Sequence, residues 1–271
     1  MKNADYYLSH GTHPHLWNGI QGAWLPSQQN TGYRVPDQVG NGVGPAYGSG
    51  GTANNHYWAT NSSQRSGRQI VAQGNGSNSY WYAPFNITRV RQATISLWVG
   101  AQGVVFGSPA ASTSNRYIFA WVDPNTWNTA WGLSQNNTNG AMWLDGNWRG
   151  SQTTWSQSLQ HYALVWGPGR LLTVYLNGSS IHSHTMAGSA PSSATGATHI
   201  SLGIGSGGVC GAAWDDLRAY NRALSKSEIK LLAERPGVSY DVTPRRMGYV
   251  AAAAPTSSNF TFRRAFSRVL P

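Results

Sequence analysis

Paired carboxylates that could act as a general acid and a general base are scarce in this sequence. Its 271 residues carry nine acidic side chains, and both glutamates, Glu228 and Glu234, fall in one short helix predicted near the C-terminus. Asp215 and Asp216 are adjacent on a predicted strand, where successive side chains point to opposite faces of a sheet. These four residues provide no acid–base pair, and we expect a protein without enzymatic activity.

Nucleophilic and metal-binding chemistry has equally little support. The single cysteine, Cys210, lies in Gly-Val-Cys-Gly and is interpreted as a small buried residue. The histidines that lie close together are His10, His13 and His15 near the N-terminus, and His182 and His184 on a predicted strand. Spaced histidines can bind transition metals, but neither group has the cysteine or acidic partners that complete such sites. We therefore predict that these histidines are polar surface residues.

Tryptophan is concentrated in the middle of the chain, at positions 121, 127, 131, 143, 148 and 155. Sugar rings stack on exposed aromatic faces, so Trp127, Trp131, Trp143 and Trp148, with nearby Asn and Gln side chains, are candidate glycan-binding residues. Two other interpretations fit, because tryptophan also fills the core of a wide sandwich and forms hot spots of protein interfaces. We rank the core first, the interface second and the glycan site third.

Positive charge is unevenly distributed along the chain. The net charge is +10, and residues 218–271 contribute +7 of it, from ten basic and three acidic side chains. Arginine outnumbers lysine sixteen to three, which favours bidentate contacts with carboxylate or phosphate groups, although codon usage explains the bias equally well. The N-terminus lacks the apolar core of a signal peptide, and no stretch is long enough to span a bilayer. With one cysteine, we expect a protein made in a reducing cytoplasm, or exported later as part of something larger.

The elements that must position these residues are predicted to be short strands. Low charge and abundant Gly and Trp favour β-structure over helix. A hairpin is the clearest signal, with strands at 162–166 and 171–176 followed by Asn177-Gly178, a type I′ turn sequence. Further strands are predicted at residues 22–25, 68–72, 79–83, 93–99, 117–122, 199–204 and 212–220, and from 181 onward. Such a pattern predicts a sandwich or jelly roll.

Other segments interrupt the strands. Residues 44–66 are rich in Gly, Ser, Asn and Thr and predict a long loop, whereas polar residues 1–19 predict an N-terminal arm. The sequence Ser225-Lys226-Ser227-Glu228 is a capping box, which begins one short helix after the last strand.

Three segments in this order carry a family resemblance: Trp155…His161-Tyr162-Ala163-Leu164-Val165, then Val174-Tyr175-Leu176-Asn177-Gly178, then Trp214-Asp215-Asp216-Leu217-Arg218-Ala219-Tyr220-Asn221-Arg222-Ala223-Leu224-Ser225. They resemble the laminin-G-like, concanavalin-A-like jelly-roll domains, over roughly residues 20–235. The resemblance implies two antiparallel sheets packed face to face. In such domains the concave sheet or its rim loops often bind glycans.

Hydrolases of this family place two carboxylates beside the scissile bond, on a strand that reads Glu-x-Asp-x-x-Glu. This pattern is missing here. Asp123 and Asp145 could approach each other only through a coincidence of loops, so hydrolysis is not expected.

Some members of the family hold a structural calcium ion, which prefers carboxylate and carbonyl oxygens. Asp37 beside the Gly40-Asn41-Gly42 turn, or Asp215, would be the matching ligands. The alternative is that Asp37 caps a turn and Asp216 pairs with Arg218 or Arg222. We favour this alternative and predict no metal ion and no cofactor.

The C-terminal segment, residues 233–240 followed by Thr243-Pro244-Arg245-Arg246, resembles the ending of related domains in bacteriophage structural proteins. After Asp241 the chain contains five arginines and no acidic residue. The candidate partner-binding residues are Arg245, Arg246, Phe260, Phe262, Arg263, Arg264, Phe266 and Arg268. Phosphate contacts need only positive charge, but alternating aromatic and Arg residues suit a protein surface better than nucleic acid.

The sequence thus predicts an all-β jelly roll over residues 20–240, between an N-terminal arm (1–19) and a basic aromatic C-terminal arm (241–271). The expected function is that of a non-enzymatic bacteriophage virion protein, a capsid decoration or cement protein that binds the major capsid protein. The alternative is a carbohydrate-binding module of a tail or fibre protein, which binds surface glycans for host attachment. Either protein would be oligomeric within the virion, assembled in the host cytoplasm and without a membrane partner.

Overall fold

The computed structural model describes residues 4–25, 37, 39, 56–59, 69–72, 81–85, 90–100, 116–122, 129–136, 139–144, 147–151, 159–185, 199–202, 204–205, 208–209 and 212–242. These include the short helices α1 (Ala4–His10) and α2 (Lys226–Leu232), and 3-10 turns at Pro14–Trp17, Pro168–Arg170 and Val238–Tyr240. Neither helix in this part of the chain has the length and hydropathy needed to cross a membrane.

The described strands form two main antiparallel sheets, as predicted. They are β1 (Ile20–Trp24), β2 (His56–Ala59), β3 (Gln69–Ala72), β4 (Trp81–Pro84), β5 (Ala93–Gly100), β6 (Arg116–Val122), β7 (Thr129–Asn136), β8 (Asn139–Leu144), β9 (Asn147–Ser151), β10 (Gln160–Trp166), β11 (Leu171–Leu176), β12 (Ser179–Thr185), β13 (His199–Leu202), β14 (Ile204–Gly205), β15 (Gly208–Val209) and β16 (Ala212–Tyr220). The eight-stranded sheet has the order β12-β11-β10-β5-β16-β3-β2, with β1 also paired to β16, and the six-stranded sheet has the order β4-β13-β6-β7-β8-β9. The predicted all-β jelly-roll architecture is therefore confirmed.

The turn between β11 and β12 shows why the local sequence signals succeed. Asn177 and Gly178 have φ angles of 48° and 79°, the two positive values that a type I′ turn requires. Gly178 also lies against α2, because a Cβ atom at this position would be 3.1 Å from the Cα of Lys230.

Five described strands, one of them the two-residue β15, lie where the sequence indicates no strand. Residues 44–66 predict a loop, but β2 lies within this range and pairs with β3. Likewise β7, β8 and β9 form a meander in the tryptophan-rich middle of the chain, which its polar residues suggest to be mostly loops. Gly, Asn and Trp give only a weak strand pattern there, so pairing with neighbouring strands decides the structure.

Both faces of the eight-stranded sheet are buried at its centre. One face carries the apolar residues Ile95, Leu97, Val99, Leu164 and Val174, which are at most 2% exposed. The other face carries Thr94, Ser96, His161, Ala163, Val165, Arg218 and Tyr220, which are also buried. The alternation of residues 93–99 thus assigns the two faces of β5 correctly, although it is more typical of a strand with one face in water.

The two ends of the described chain, residues 4–19 and 226–242, cover this second face, and we call them the terminal cover. Its side chains pack in one apolar cluster with the sheet residues Ala163, Val165 and Tyr220. Residues 4–19, which the sequence suggests to be an arm, therefore contribute to the core. Helix α1 is only seven residues long, too short for a periodic pattern that a sequence could reveal.

Aromatic rings join the two halves of the terminal cover. The ring of Tyr7 stacks on Trp17 with centroids 4.7 Å apart, and both rings meet Tyr240 edge-on at 5.2 and 5.0 Å. The indole Nε1 of Trp17 donates a hydrogen bond to the carbonyl oxygen of Ser239 at 2.8 Å. An isolated β-bridge pairs Gly11 with Val242.

Arg222 links the N-terminal half of the cover to the start of α2. Its guanidinium donates to the carbonyl oxygens of Asn18 and His15 and to both carboxylate oxygens of Glu228, at 2.6 and 3.0 Å. Glu228 also accepts the backbone N–H of Ser225, whose hydroxyl accepts that of Glu228. The predicted capping box is therefore present, and it is reinforced by an ion pair.

A bulge in β16 places the buried charges. Asp215 is opposite Trp98 and Arg218 is opposite Ser96, so two residues of β16 face one residue of β5. Asp216 adopts a φ of 49°, a left-handed conformation that Asp tolerates better than most residues. The regular alternation expected for Asp215 and Asp216 is interrupted here, because the bulge adds a residue.

Asp216 and Arg218 form the predicted ion pair in full burial. Two hydrogen bonds of 2.7 Å join the Arg218 guanidinium to the two carboxylate oxygens of Asp216, and the side chains are 0% and 2% exposed. Asp216 also accepts the backbone N–H of Gly237 at 2.7 Å. Burial alone lowers the pKa of Arg218, but Asp216 outweighs this effect and keeps the guanidinium charged.

Replacing Arg218→Met should lower the free energy of unfolding by about 3–5 kcal/mol, because it leaves the carboxylate of Asp216 buried without its partner. The double variant Asp216→Asn/Arg218→Met should be more stable than Arg218→Met, since an amide carries no charge to bury. Urea unfolding, monitored by circular dichroism, gives the free energy of unfolding of both variants. If adding Asp216→Asn to Arg218→Met lowers the free energy of unfolding further, the unpaired carboxylate of Asp216 is not the cause of the lost stability.

The carboxyl of Glu228 makes the stability of the fold depend on pH. Burial alone raises the pKa of its carboxyl, but hydrogen bonds from Arg222 and Ser225 outweigh this and lower the pKa to about 2, from a usual 4.5. Because the folded-state pKa lies below the unfolded one, this stabilisation is present above about pH 4.5 and is lost as the pH falls towards 2.

Glu228→Gln should therefore cost about 1 kcal/mol near neutral pH, and the difference from the unsubstituted protein should shrink between pH 4.5 and pH 2. Unfolding by urea across this range checks it, with Glu234→Gln, an exposed acid of the same chain segment, as the control. If the difference in free energy of unfolding between the two proteins does not change with pH, the stabilisation does not come from the ionised carboxyl of Glu228.

Candidate functional site

On the face of the eight-stranded sheet that lies under the terminal cover, one pair of side chains has the geometry of a nucleophile and its base. The hydroxyl of Ser96 and Nε2 of His161 are 2.8 Å apart, within the range of such pairs. Ser96 is 2% and His161 0% exposed, and the ring of Trp98 lies 5.5 Å from the imidazole. Burial, assisted by the charge of Arg218, lowers the pKa of His161 to about 3. The imidazole is neutral, and burial of both side chains away from solvent indicates a structural role for the pair.

The described carboxylates form no pair that could flank a bond. Asp216 is bound to Arg218, and Asp215 is buried with Oδ1 accepting the N–H of Asp216. Glu228 belongs to the capping box, and Glu234 is exposed just beyond α2. Asp123 and Asp145 lie outside the described residues.

The candidate metal ligands have other roles or lie apart. Oδ1 of Asp37 accepts the backbone N–H groups of Ala23 and Val39 at 2.9 and 3.0 Å, which is the turn-capping role considered for it. His182 and His184 lie on β12. In the described part of the chain, no three His, Cys, Asp or Glu side chains are grouped as metal ligands would be.

The six-stranded sheet holds a row of residues that fits a binding surface. The strand register runs from Tyr82 through Ser201, Ala120, Gly132 and Trp143 to Trp148. Residues directly opposite each other in antiparallel strands lie on the same face. Strands are ~4.8 Å apart, so the row is ~24 Å long. The middle of the row consists of the small residues Ser201, Ala120 and Gly132. Tyr82 is at one end, and Trp143 and Trp148 are at the other.

Ile200 shows which way this row faces. Its side chain is fully buried, and the strand register places Ala83 and Trp121 in the same row as Ile200. Successive residues of a strand alternate between faces. By register, the row from Tyr82 to Trp148 therefore lies on the face of the six-stranded sheet opposite to that of Ile200, and we call it the outer row.

The four tryptophans considered for glycan binding are separated by this arrangement. Trp143 and Trp148 are cross-strand partners in the outer row, whereas Trp131 pairs with Trp121 in the row of Ile200. Trp127 lies outside the described residues, as do all eight candidate partner-binding residues between 245 and 268. The sequence does not single out Tyr82, because its neighbours in the row come from strands far apart along the chain. The Asp145-Gly146 dipeptide is a hairpin signal, and it could have been used to predict that β8 pairs with β9.

Solved structures with the same fold include enzymes and binding domains. A Trypanosoma rangeli sialidase aligns at 16% identity with a TM-score of 0.57, over 79% of this chain and 32% of the sialidase. The botulinum neurotoxin serotype D binding domain aligns at 14% identity with a TM-score of 0.54, over 80% of this chain and 51% of that domain.

A third structure matches over almost its full length. Domain 4 of AbnA, an extracellular arabinanase of family GH43 from Geobacillus stearothermophilus, was solved in complex with arabinotriose. It aligns at 19% identity with a TM-score of 0.55, over 79% of this chain and 98% of that domain. This chain thus spans about a third of the sialidase, half of the toxin domain and nearly all of the arabinanase domain.

No curated protein matches the sequence. At the level of families, the sequence model of the concanavalin A-like lectin/glucanases superfamily matches residues 73–230, more than half of the chain. The two-sheet sandwich described above has the architecture that this family implies. This chain belongs to the concanavalin A-like lectin/glucanases superfamily.

Proposed function

We propose that this protein is a non-enzymatic carbohydrate-binding domain that holds a glycan along the outer row of the six-stranded sheet. The observation that carries the proposal is the register that aligns Tyr82, Trp143 and Trp148 on one face. Aromatic residues are the usual platforms for sugar rings, because they offer a flat apolar surface beside polar groups. The length of the row suits an oligosaccharide better than a single sugar.

The structural relatives support a carbohydrate ligand. Domain 4 of AbnA was solved with arabinotriose, and the Trypanosoma rangeli sialidase was solved with sialic acid. Their identities to this chain are 19% and 16%, so the ligand of this protein does not follow from theirs. The proposal therefore names a class of ligand and leaves its sugar composition to experiment.

The absence of catalysis is part of the proposal. Glycoside hydrolysis needs two carboxyl groups on opposite sides of the bond. Among the described acidic residues, Asp216, Glu228 and Asp241 are engaged by arginines of the same chain. These three carboxylates therefore stabilise the fold.

We expect Trp143→Ala and Trp148→Ala each to weaken glycan binding roughly 10- to 100-fold, the equivalent of about 1.5–3 kcal/mol for a buried aromatic ring. A glycan array identifies the ligand, and calorimetry then gives the dissociation constants. Tyr6→Ala, which removes a partly buried ring of the terminal cover, is the matched control and should bind normally. Equal binding by all three variants would place the ligand elsewhere, and release of shorter sugars from the bound glycan would contradict a non-enzymatic role.

A second candidate function is attachment to a bacteriophage particle, and the sequence after Val242 favours it. This segment has five arginines, no acidic residue and three phenylalanines, which lie within three residues of Arg263, Arg264 or Arg268. We propose that Arg245, Arg246, Phe260, Phe262, Arg263, Arg264, Phe266 and Arg268 bind a virion protein, as in a capsid decoration or cement protein that binds the major capsid protein. With the glycan site, the same segment would suit a tail or fibre protein used in host attachment.

Deleting residues 243–271 should leave the fold intact, because the described contacts of the terminal cover end at Val242. Binding to particles that lack this protein should be lost. Single Phe→Ala changes should cost roughly 1.5–3 kcal/mol for each buried ring, and single Arg→Gln changes at exposed sites about 0.2–1 kcal/mol. Co-sedimentation with particles measures binding, and circular dichroism checks the fold. Full binding by the truncated protein would rule out this role for the segment.

A further inference from the structure

The face of the six-stranded sheet that carries the outer row has no Asp, Glu, Lys or Arg at any position that the structure describes. The six strands contain two charged residues, Arg116 and Arg149. Arg149 pairs with Met142, and Arg116 pairs with Gln135. Met142 and Gln135 lie an odd number of positions from the outer-row residues of their own strands, so alternation places them on the opposite face. By register, both arginines therefore share the face of Ile200.

Uncharged polar residues flank the outer row on its own face. Ser134 and Asn136 lie two and four positions after Gly132 on β7, and Asn139 of β8 pairs with Asn136. Even spacing along a strand keeps residues on one face. Hydroxyl and amide groups donate and accept hydrogen bonds without carrying a formal charge.

Recognition of an acidic sugar needs groups that the described positions of this face lack. Sialic acid, uronic acids and sulfated sugars are anions, which proteins bind through Arg or Lys in charge-assisted hydrogen bonds. On an uncharged aromatic surface such an anion would lose water without gaining an opposite charge, which costs free energy. A neutral sugar has hydroxyl groups that match Ser and Asn, and an apolar ring face that matches Tyr and Trp.

We infer that the ligand of the outer row is an uncharged oligosaccharide. This inference rests on the proposed function and adds the chemical class of the sugar. Asp123 and Asp145 directly follow β6 and β8 in the sequence and lie outside the described residues; as anions they would not attract an acidic sugar. The net charge of +10 attracts acidic glycans over a long range, so a preference for neutral glycans would be a property of the site itself.

A glycan array tests the class of ligand on the full chain. The array carries linear chains of glucose, mannose and galactose, their uronic acid counterparts, and chains that end in sialic acid or carry sulfate. Salt of about 0.15 M screens charges more than about 8 Å apart. A pH of about 8 lies above the range in which histidine side chains normally titrate, which matters because His199, two positions before Ser201 on β13, shares this face.

The strongest signals should come from neutral chains. Signals confined to acidic chains would contradict the inference but leave carbohydrate binding in place. An array with no signal would count against the proposed function, and the inference would fall with it.

Calorimetry then compares the best neutral chain with its uronic acid counterpart, which differs only by its carboxylates. The neutral chain should bind at least roughly tenfold more tightly. Its Kd should change less than about twofold between about 50 mM and about 500 mM salt, because no ion pair is screened. Equal or tighter binding of the acidic chain, or a larger effect of salt, overturns the inference.

Two matched substitutions place a charge, or its neutral equivalent, beside the outer row. Ser134→Asp adds a carboxylate, and Ser134→Asn adds an amide of similar size. For an uncharged ligand, the Kd values of the two variants should agree within about threefold, and circular dichroism checks that both are folded. If Ser134→Asp binds the best glycan roughly tenfold more weakly than Ser134→Asn does, the ligand carries a negative charge and the inference is wrong.

Discussion

The buried charge of Arg218 is the constraint on which the rest of the structure depends. A fully buried guanidinium must keep its partner, and its partner is Asp216, held in place by the bulge of β16. Asp216 accepts the N–H of Gly237, and Arg218 lies 5.4 Å from the ring centroid of Tyr240. The ion pair thus fastens the terminal cover to the centre of the eight-stranded sheet. Without the cover, this face would expose its polar groups and the pair would be open to water.

The two sheets differ in how they use their polar and aromatic side chains. The eight-stranded sheet is buried on both faces at its centre, so its titratable and nucleophilic side chains, such as His161 and Ser96, are committed to the interior. In the six-stranded sheet, Ile200 is fully buried, and the outer row of aromatic and small residues lies on the opposite face by register. The described polar groups of the eight-stranded sheet therefore stabilise the fold, whereas the proposed glycan site lies on the other sheet.

Local signals made much of the fold predictable from the sequence. The Asn177-Gly178 turn, the capping box at Ser225 and the Asp216–Arg218 pair depend on residues close together in the chain, and all three are present. The outer row was not predictable, because the register of six strands decides which residues are neighbours. The terminal cover was not predictable either, since Trp17 and Ser239 meet across more than 200 residues. Why Trp143 and Trp148 share a face while Trp131 does not is a matter of register alone.

The terminal cover also has a consequence for the order in which the protein is made. Gly11 pairs with Val242, and Trp17 donates to Ser239, so the contacts that seal the eight-stranded sheet join residues more than 200 positions apart. During synthesis the ribosome releases the N-terminal half of the cover long before its partner exists. Such distant contacts close slowly, because a long loop must be ordered first. Until residue 242 has been synthesised, the polar face around Arg218 lacks these contacts, and exposed surface of this kind favours aggregation of a nascent chain.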